Sequence, residues 1–352
     1  MHFRAIGTAT PPGRFTKAQC LEAFQRSGWY GRLDPRSHLV ARTVLQRDNG
    51  IEARHLALDR LDDVFTIDAD TLAQRFRAHA PALAARAAQE ALRKSGLRAA
   101  QIDAVVIATC TGYLCPGLSG HVVERLGLRP DVGCYDLVGQ GCAAALPNLQ
   151  LCRALLASGA GDHVLSVCVE VSSAAMYLDD DPGVIISACL FGDGAGAAVL
   201  SREAGADGRR LRWTDSASLL DPAQRGALQF EQRGGMLRNV LSRAVPGLAA
   251  TYARRVLDTV LARGGLGTAD IGAWILHAGG RDVLQAMERQ FGIDARALRH
   301  SAAVLREYGN LSSAFVYFVL EAALADATPG GWWWLSSFGA GFSCHGALLH
   351  VQ

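Results

Sequence analysis

The sequence predicts an α/β protein with a sheet covered on both faces, built from two similar halves. Apolar runs of strand length alternate with stretches of helical periodicity along most of the chain. A polar, glycine-containing stretch over 202–209 separates two parts that follow the same order of elements. Both parts also end on similar segments: Gly194-Ala195-Gly196-Ala197-Ala198-Val199-Leu200 and Gly341-Phe342-Ser343-Cys344-His345-Gly346-Ala347-Leu348-Leu349. The expected halves are 1–205 and 206–352.

Residues 82–92 are alanine-rich, with Arg86, Glu90 and Arg93 on a wet side, which predicts a helix stopping near Gly96. The run 102–109 reads as a buried strand. From Cys142, the spacing of Ala145, Leu149, Cys152 and Leu156 gives one helical face ending at Ser158-Gly159. Strands are expected over 163–169 and 197–201. In the second half come a helix over 247–263, a strand over 273–276 and a helix over 281–291. A further helix starts at Leu311, with Ala314, Phe315, Phe318, Val319 and Ala322 on one face. Strands over 332–336 and 347–351 close the chain, so Trp332-Trp333-Trp334 is read as buried strand.

At 352 residues the chain has room for one large layered domain or two medium ones. A formal net charge of +2, with no Lys/Arg run interleaved with aromatics, argues against a nucleic-acid partner. The N-terminus lacks the apolar core of a signal peptide and no segment reaches membrane-spanning length, so a cytoplasmic protein is expected. Nine cysteines, mostly inside apolar runs like Cys152 and Cys168, read as reduced thiols. Their spacing suggests neither a disulfide framework nor a metal site.

Three residues could carry chemistry. Cys142 follows Gly139-Gln140-Gly141 and opens a helix, where free backbone N–H groups and the positive dipole end favour thiolate. A buried cysteine is as readily a small hydrophobe. His277 ends the strand Ala273-Trp274-Ile275-Leu276, and a structural histidine is the plainer alternative. Asn310, after Tyr308-Gly309, could be an ordinary N-cap. Together they supply what acyl transfer from a thioester needs: a soft nucleophile, a base and hydrogen-bond donors for a developing oxyanion. The cluster Gly192-Asp193-Gly194-Ala195-Gly196 lacks a phosphate-loop lysine and reads as a tight turn. Asp179-Asp180-Asp181-Pro182-Gly183 reads as a solvated turn.

At these residues the chain resembles the chalcone synthase-like type III polyketide synthases of the thiolase-fold superfamily. The resemblance runs through Cys110-Thr111-Gly112-Tyr113-Leu114-Cys115-Pro116-Gly117, Gln140-Gly141-Cys142, Cys189-Leu190-Phe191-Gly192-Asp193-Gly194 and Val245-Pro246-Gly247. It continues in Leu276-His277-Ala278-Gly279-Gly280, Tyr308-Gly309-Asn310-Leu311-Ser312-Ser313-Ala314 and Ser337-Phe338-Gly339-Ala340-Gly341. It implies a thiolase-like αβαβα homodimer without a cofactor, with Cys142, His277 and Asn310 as catalytic residues. The substrates implied are malonyl-CoA and an acyl-CoA starter, condensed repeatedly and cyclised to a pyrone, resorcinol or related phenolic product.

By the same resemblance Phe191 is a gatekeeper between the CoA tunnel and the cavity. Ser312 packs behind the nucleophile, and Cys115 lies on a loop near the dimer interface, where it reaches the partner's cavity and helps bind substrate. Cys110, Thr111, Ala175, Ser187, Asn239 and Ala340 fall where the cavity lining is expected. Asn239 stands where plant relatives carry a bulky phenylalanine, and Ala340 replaces a family proline. Arg42, Arg47 and Arg54 are candidates for the CoA phosphates. The departures suggest the bacterial branch. Two alternatives remain open at this point: a ketoacyl synthase III-like enzyme that condenses once, and a non-catalytic acyl-CoA-binding dimer.

Overall fold

Strand-forming runs assemble into one nine-stranded sheet in the computed structural model, which describes residues 1–205, 209–326 and 328–352. Part of the stretch expected to separate the halves, 206–208, lies outside the described residues. The strand order is Ile271–Leu276, Gly331–Gly339, Ser343–Val351, Leu211–Leu220, His2–Ala9, Gly194–Ser201, His163–Glu170, Ala104–Ala108, Gly133–Leu137. In the first half Gly133–Leu137, Ala104–Ala108 and His163–Glu170 run parallel, then Gly194–Ser201 and His2–Ala9 alternate in direction. The second half repeats this from the other end. Ile271–Leu276 runs parallel to Gly331–Gly339, followed by antiparallel Ser343–Val351 and Leu211–Leu220. Within the sheet the two halves meet at the rungs His2↔Arg212 and Phe3↔Leu211.

Helix Ala69–Ser95 covers the outer face of the first half, and Val245–Gly264 covers that of the second. Between them lie Ala145–Ser158 and Phe315–Ala325, each packed on strands of both halves. This is an αβαβα stack. Helix Phe315–Ala325 buries Phe315, Val316, Tyr317, Phe318, Val319 and Leu320, apolar all round as a central helix must be. Asn148 anchors the other central helix by donating to the carbonyls of Val106 and Val167, each at 3.0 Å. Ser166 Oγ joins the Asn148 carbonyl oxygen and the Tyr317 hydroxyl, both at 2.7 Å, so the buried polar atoms are satisfied and the two helices share one anchor.

Most expected elements appear within a few residues of their predicted ends. The helix expected over 82–92 is longer, 27 residues from a cap at Asp68, because Pro81 sits inside it without stopping it. Gly96, at φ +70°, ends it as expected. The strand expected from 197 starts at Gly194, so Gly194-Ala195-Gly196 is strand and not the expected tight turn; these glycines serve close approach, since a Cβ on Gly196 would meet Tyr317 at 2.4 Å. The sequence reading placed no element on Lys17–Arg26, Pro35–Gln46, Pro182–Leu190 or the hairpin Leu228–Arg233 with Met236–Leu241. These surround the cavity described below. All nine cysteines are free. Among the described residues no helix is long and apolar enough to cross a membrane.

Candidate active site

Cys142 sits in a single 3-10 turn, Gly141–Ala143, that feeds the central helix Ala145–Ser158. Gly141 holds φ +54°, and a Cβ there would meet Ala340 at 3.1 Å, so glycine is what lets the chain make this turn. The Cys142 sulfur accepts a hydrogen bond from Ser312 Oγ at 3.1 Å. Ser312 itself stands at φ +50°, an unusual conformation for a side-chain-bearing residue. Its N–H donates to Asn310 Oδ1 at 2.8 Å, which holds it there.

His277 follows strand Ile271–Leu276, and its N–H donates to the Ser336 carbonyl at 2.9 Å. The imidazole lies between Phe315 and Phe338, with centroids 5.3 and 5.1 Å away. Neither ring nitrogen has a hydrogen-bond partner. Asn310 Nδ2 donates to the Gly279 carbonyl at 3.3 Å, joining it to the loop after His277. Its backbone bridges to Phe191, with Asn310 N–H donating to Leu190 and Gly192 N–H donating to Asn310. Ser337 Oγ, beside His277, donates to the Ala143 carbonyl of the nucleophile turn at 3.0 Å. A continuous chain of contacts therefore gathers Cys142, His277 and Asn310 from three remote segments.

Burial dominates the electrostatics. It pushes the Cys142 thiol up to about 12, against the Ser312 hydrogen bond, and pushes His277 down to about 3. Neutral thiol and neutral imidazole are the resting forms this favours. Desolvation thus works against the stabilisation of thiolate expected at the helix start.

Glu170 was missed by the sequence reading. It ends strand His163–Glu170 with no exposed surface. Its carboxyl accepts from Thr111 Oγ at 2.9 Å, Cys110 N–H at 3.0 Å and Cys110 Sγ at 3.3 Å, and also from Ser313 Oγ, while the Ser312 hydroxyl oxygen, which donates to Cys142, lies 3.4 Å away. Burial raises its pKa despite these donors. The available signal was an acid closing the apolar run Val167-Cys168-Val169, where a buried charge needs a reason.

A cavity starts at Ser312, Cys110 and Phe191. It runs past Ala175, Ser187 and Asn239 toward Phe24, Leu45 and Phe65. Thr111 lines it too, although its hydroxyl is committed to Glu170. Three expectations need correction. Ala340 packs on Gly141 and is not part of the cavity wall. Arg42 and Arg47 are exposed, but Arg54 is buried, its Nη1 donating to the carbonyls of Ala188 and Phe191 at 2.7 and 3.0 Å. It braces the backbone around Phe191 and does not present its charge to a phosphate at the surface. The acids 179–181 do more than make a solvated turn: Arg238 pairs with Asp179 at 2.8 Å, Asp181 at 3.1 Å and Glu231 at 3.4 Å. Cys115 lies exposed beside exposed Tyr113, away from the cavity.

Residues 14–215 match the family described as FAE1/Type III polyketide synthase-like protein, and 217–351 match the chalcone and stilbene synthases, C-terminal domain. The chain belongs to this family of type III polyketide synthases, acyltransferases that work on CoA thioesters. A 1,3,6,8-tetrahydroxynaphthalene synthase of Streptomyces peucetius subsp. caesius is 31% identical over 350 residues, covering 98% of this chain and 92% of the relative. The alpha-pyrone synthesis polyketide synthase-like Pks18 of Mycobacterium tuberculosis (strain ATCC 25618 / H37Rv) is 31% identical over 305 residues, 84% of this chain and 77% of the relative. The crystal structure of PKS-I from the brown alga Ectocarpus siliculosus superposes with a TM-score of 0.90 at 25% identity, covering 99% of this chain and 97% of that one. The fold is thiolase-like.

Proposed function

We propose that Cys142 takes the starter acyl group from its CoA thioester and that His277 and Asn310 then serve the extender. The observation that carries this reading is the hydrogen-bonded run Cys142–Ser312–Asn310–Gly279, which joins the nucleophile to the loop after His277. As the thioester arrives, the unpartnered imidazole accepts the thiol proton and the sulfur attacks the carbonyl carbon, expelling CoA thiolate, which takes up a proton. Malonyl-CoA then binds against His277, flanked by Phe315 and Phe338. Poorly solvated there, its carboxylate leaves as CO₂, and the Asn310 amide stabilises the enolate without protonating it. Attack of that enolate on the Cys142 thioester carbonyl forms the new carbon–carbon bond and expels the Cys142 thiolate, leaving the lengthened chain on CoA; transfer of that chain back to Cys142 releases CoA for the next round. Repetition and cyclisation follow in the cavity.

The apolar walls past Ala175 toward Phe24, Leu45 and Phe65 suit an unbranched apolar acyl starter. We also read the chain as a cytoplasmic homodimer of two like halves divided near 205/206. The exposed Tyr135 and Val138, on and next to the edge strand Gly133–Leu137, support the dimer. Product masses test the function. Malonyl-CoA offered with acyl-CoA starters of differing length should give products carrying two or more added C2 units, and a single unit throughout would favour the once-condensing alternative. Asn310→Ala should slow malonyl-CoA decarboxylation by about 10²-fold, while acyl loading of Cys142, read by protein mass, persists.

A further inference from the structure

Both backbone polar atoms of Asn310 are held by one short segment. Its N–H donates to the Leu190 carbonyl at 2.9 Å, and its carbonyl accepts the Gly192 N–H at 3.0 Å. The place of the amide in the site therefore follows the place of Leu190-Phe191-Gly192. That segment is anchored in turn by strand Ala53–His55. The His55 carbonyl accepts the Asp193 N–H at 2.7 Å, while Arg54 Nη1 donates to the carbonyls of Ala188 and Phe191.

The chemistry of Arg54 fits this task. Burying a guanidinium is costly unless it is hydrogen-bonded, and here Nη1 serves two main-chain carbonyls at once. Ala188 lies in the last turn of helix Pro182–Leu190, where free carbonyls and the negative dipole end favour a cation. The arginine stem also abuts the residue before Asn310. A Cβ on Gly309 would meet the Leu190 carbonyl at 2.7 Å and Arg54 Cγ at 3.0 Å, so the three segments are packed without slack.

We propose that Arg54 is a positioning residue for decarboxylation, fixing the Asn310 amide through Leu190-Phe191-Gly192 while leaving the loading of Cys142 untouched. The proposal rests on the role given to Asn310 above. The nucleophile turn has other supports, Ser312 Oγ on the Cys142 sulfur and Ser337 Oγ on the Ala143 carbonyl. Arg54 thus acts at one remove from the reacting atoms. A small shift of the segment it braces is enough to misalign the amide with the enolate oxygen.

The test is Arg54→Met in the full-length enzyme, which keeps an apolar stem against Gly309 and removes the donors. Two steps are timed separately: octanoyl transfer from octanoyl-CoA to Cys142, read by protein mass, and CO₂ release from labelled malonyl-CoA without a starter. Decarboxylation should fall about tenfold in kcat, with KM for malonyl-CoA and the loading rate both within about twofold of wild type. Arg54→Lys keeps a cationic donor and should recover part of that loss. If Arg54→Met does not fold, Arg54→Lys carries the test, with decarboxylation about threefold slower and loading unchanged. Combined with Asn310→Ala, Arg54→Met should slow decarboxylation no further, because the amide it positions is gone. Equal effects on the two steps, an additive loss in the double variant, or a change confined to the KM for octanoyl-CoA would each overturn this proposal alone. Wild-type decarboxylation by Asn310→Ala would overturn the reading of Asn310 and this proposal with it.

Discussion

The turns Gly141–Ala143 and Ser312–Ala314 lead into the two central helices by the same backbone route, with positive φ at Gly141 (+54°) and at Ser312 (+50°). The next residue in each is where they part. In the first turn it is Cys142, whose sulfur faces Ser312; in the second it is Ser313, whose hydroxyl donates to buried Glu170. Duplicated architecture has thus been divided between two tasks. One turn presents a nucleophile, and the other supplies hydroxyls to the sulfur and to the carboxyl behind it.

The largest expected effect lies in exchanging the thiol for a methyl group. Cys142→Ala should lower product formation at least ~10³-fold, because no covalent thioester can form. The corresponding change in the other turn, Ser313→Ala, should cost less than about tenfold in activity while destabilising the fold by about 1–3 kcal/mol, since Glu170 loses a donor. Initial rates with malonyl-CoA and an acyl-CoA, read beside urea unfolding, check both. Equal activity losses would mean that the two turns are not divided in this way.

Backbone strain gives a second, smaller contrast. Gly141→Ala places a Cβ 3.1 Å from Ala340 at positive φ and should destabilise by about 1–2 kcal/mol. Displacement of the neighbouring sulfur should lower kcat by about tenfold or more. At Ser312 the sign reverses. Ser312→Gly should be about 1 kcal/mol more stable than Ser312→Ala, because both lose the hydroxyl but only glycine relaxes at φ +50°. Urea midpoints for the three variants decide it, and a Ser312→Gly variant no more stable than Ser312→Ala would remove the argument.

These turns also show what the sequence could and could not reveal. Gly141 before Cys142 is visible, because glycine at positive φ is a local rule, and the nucleophile turn was read from it. Ser312 obeys no such rule; its φ is held by Asn310 Oδ1, a contact that exists only in the folded chain. Buried strands were legible from apolar runs, as in Ile271–Leu276, and helices from apolar residues at helical spacing, as in Arg281–Phe291. The cavity's outer wall was not, because the helices Lys17–Arg26 and Pro35–Gln46 are short and bury only three residues each. Arg54 and Asp179–Asp181 were misread because a charged residue looks alike in sequence whether it meets solvent or a buried partner.

Glu170 allows the finest test of the division, through pH and not through rate. Burial raises its pKa above the ordinary 4.5. As pH rises past that value, the unfolded chain releases the Glu170 proton while the folded chain still holds it. Over that window the folded form binds more protons, so raising the pH destabilises it. Glutamine has the same shape and does not titrate. The melting temperature of Glu170→Gln minus that of the wild type should therefore be lowest near pH 4 and rise as the pH passes 4.5, levelling off once the folded protein also releases the proton. A difference that stays flat, or falls, across that range would show that the carboxyl is already ionised behind the two turns. Ser313 would then be serving an anion, and the hydroxyls of the second turn would act by stabilising charge, not by filling the valences of a neutral acid.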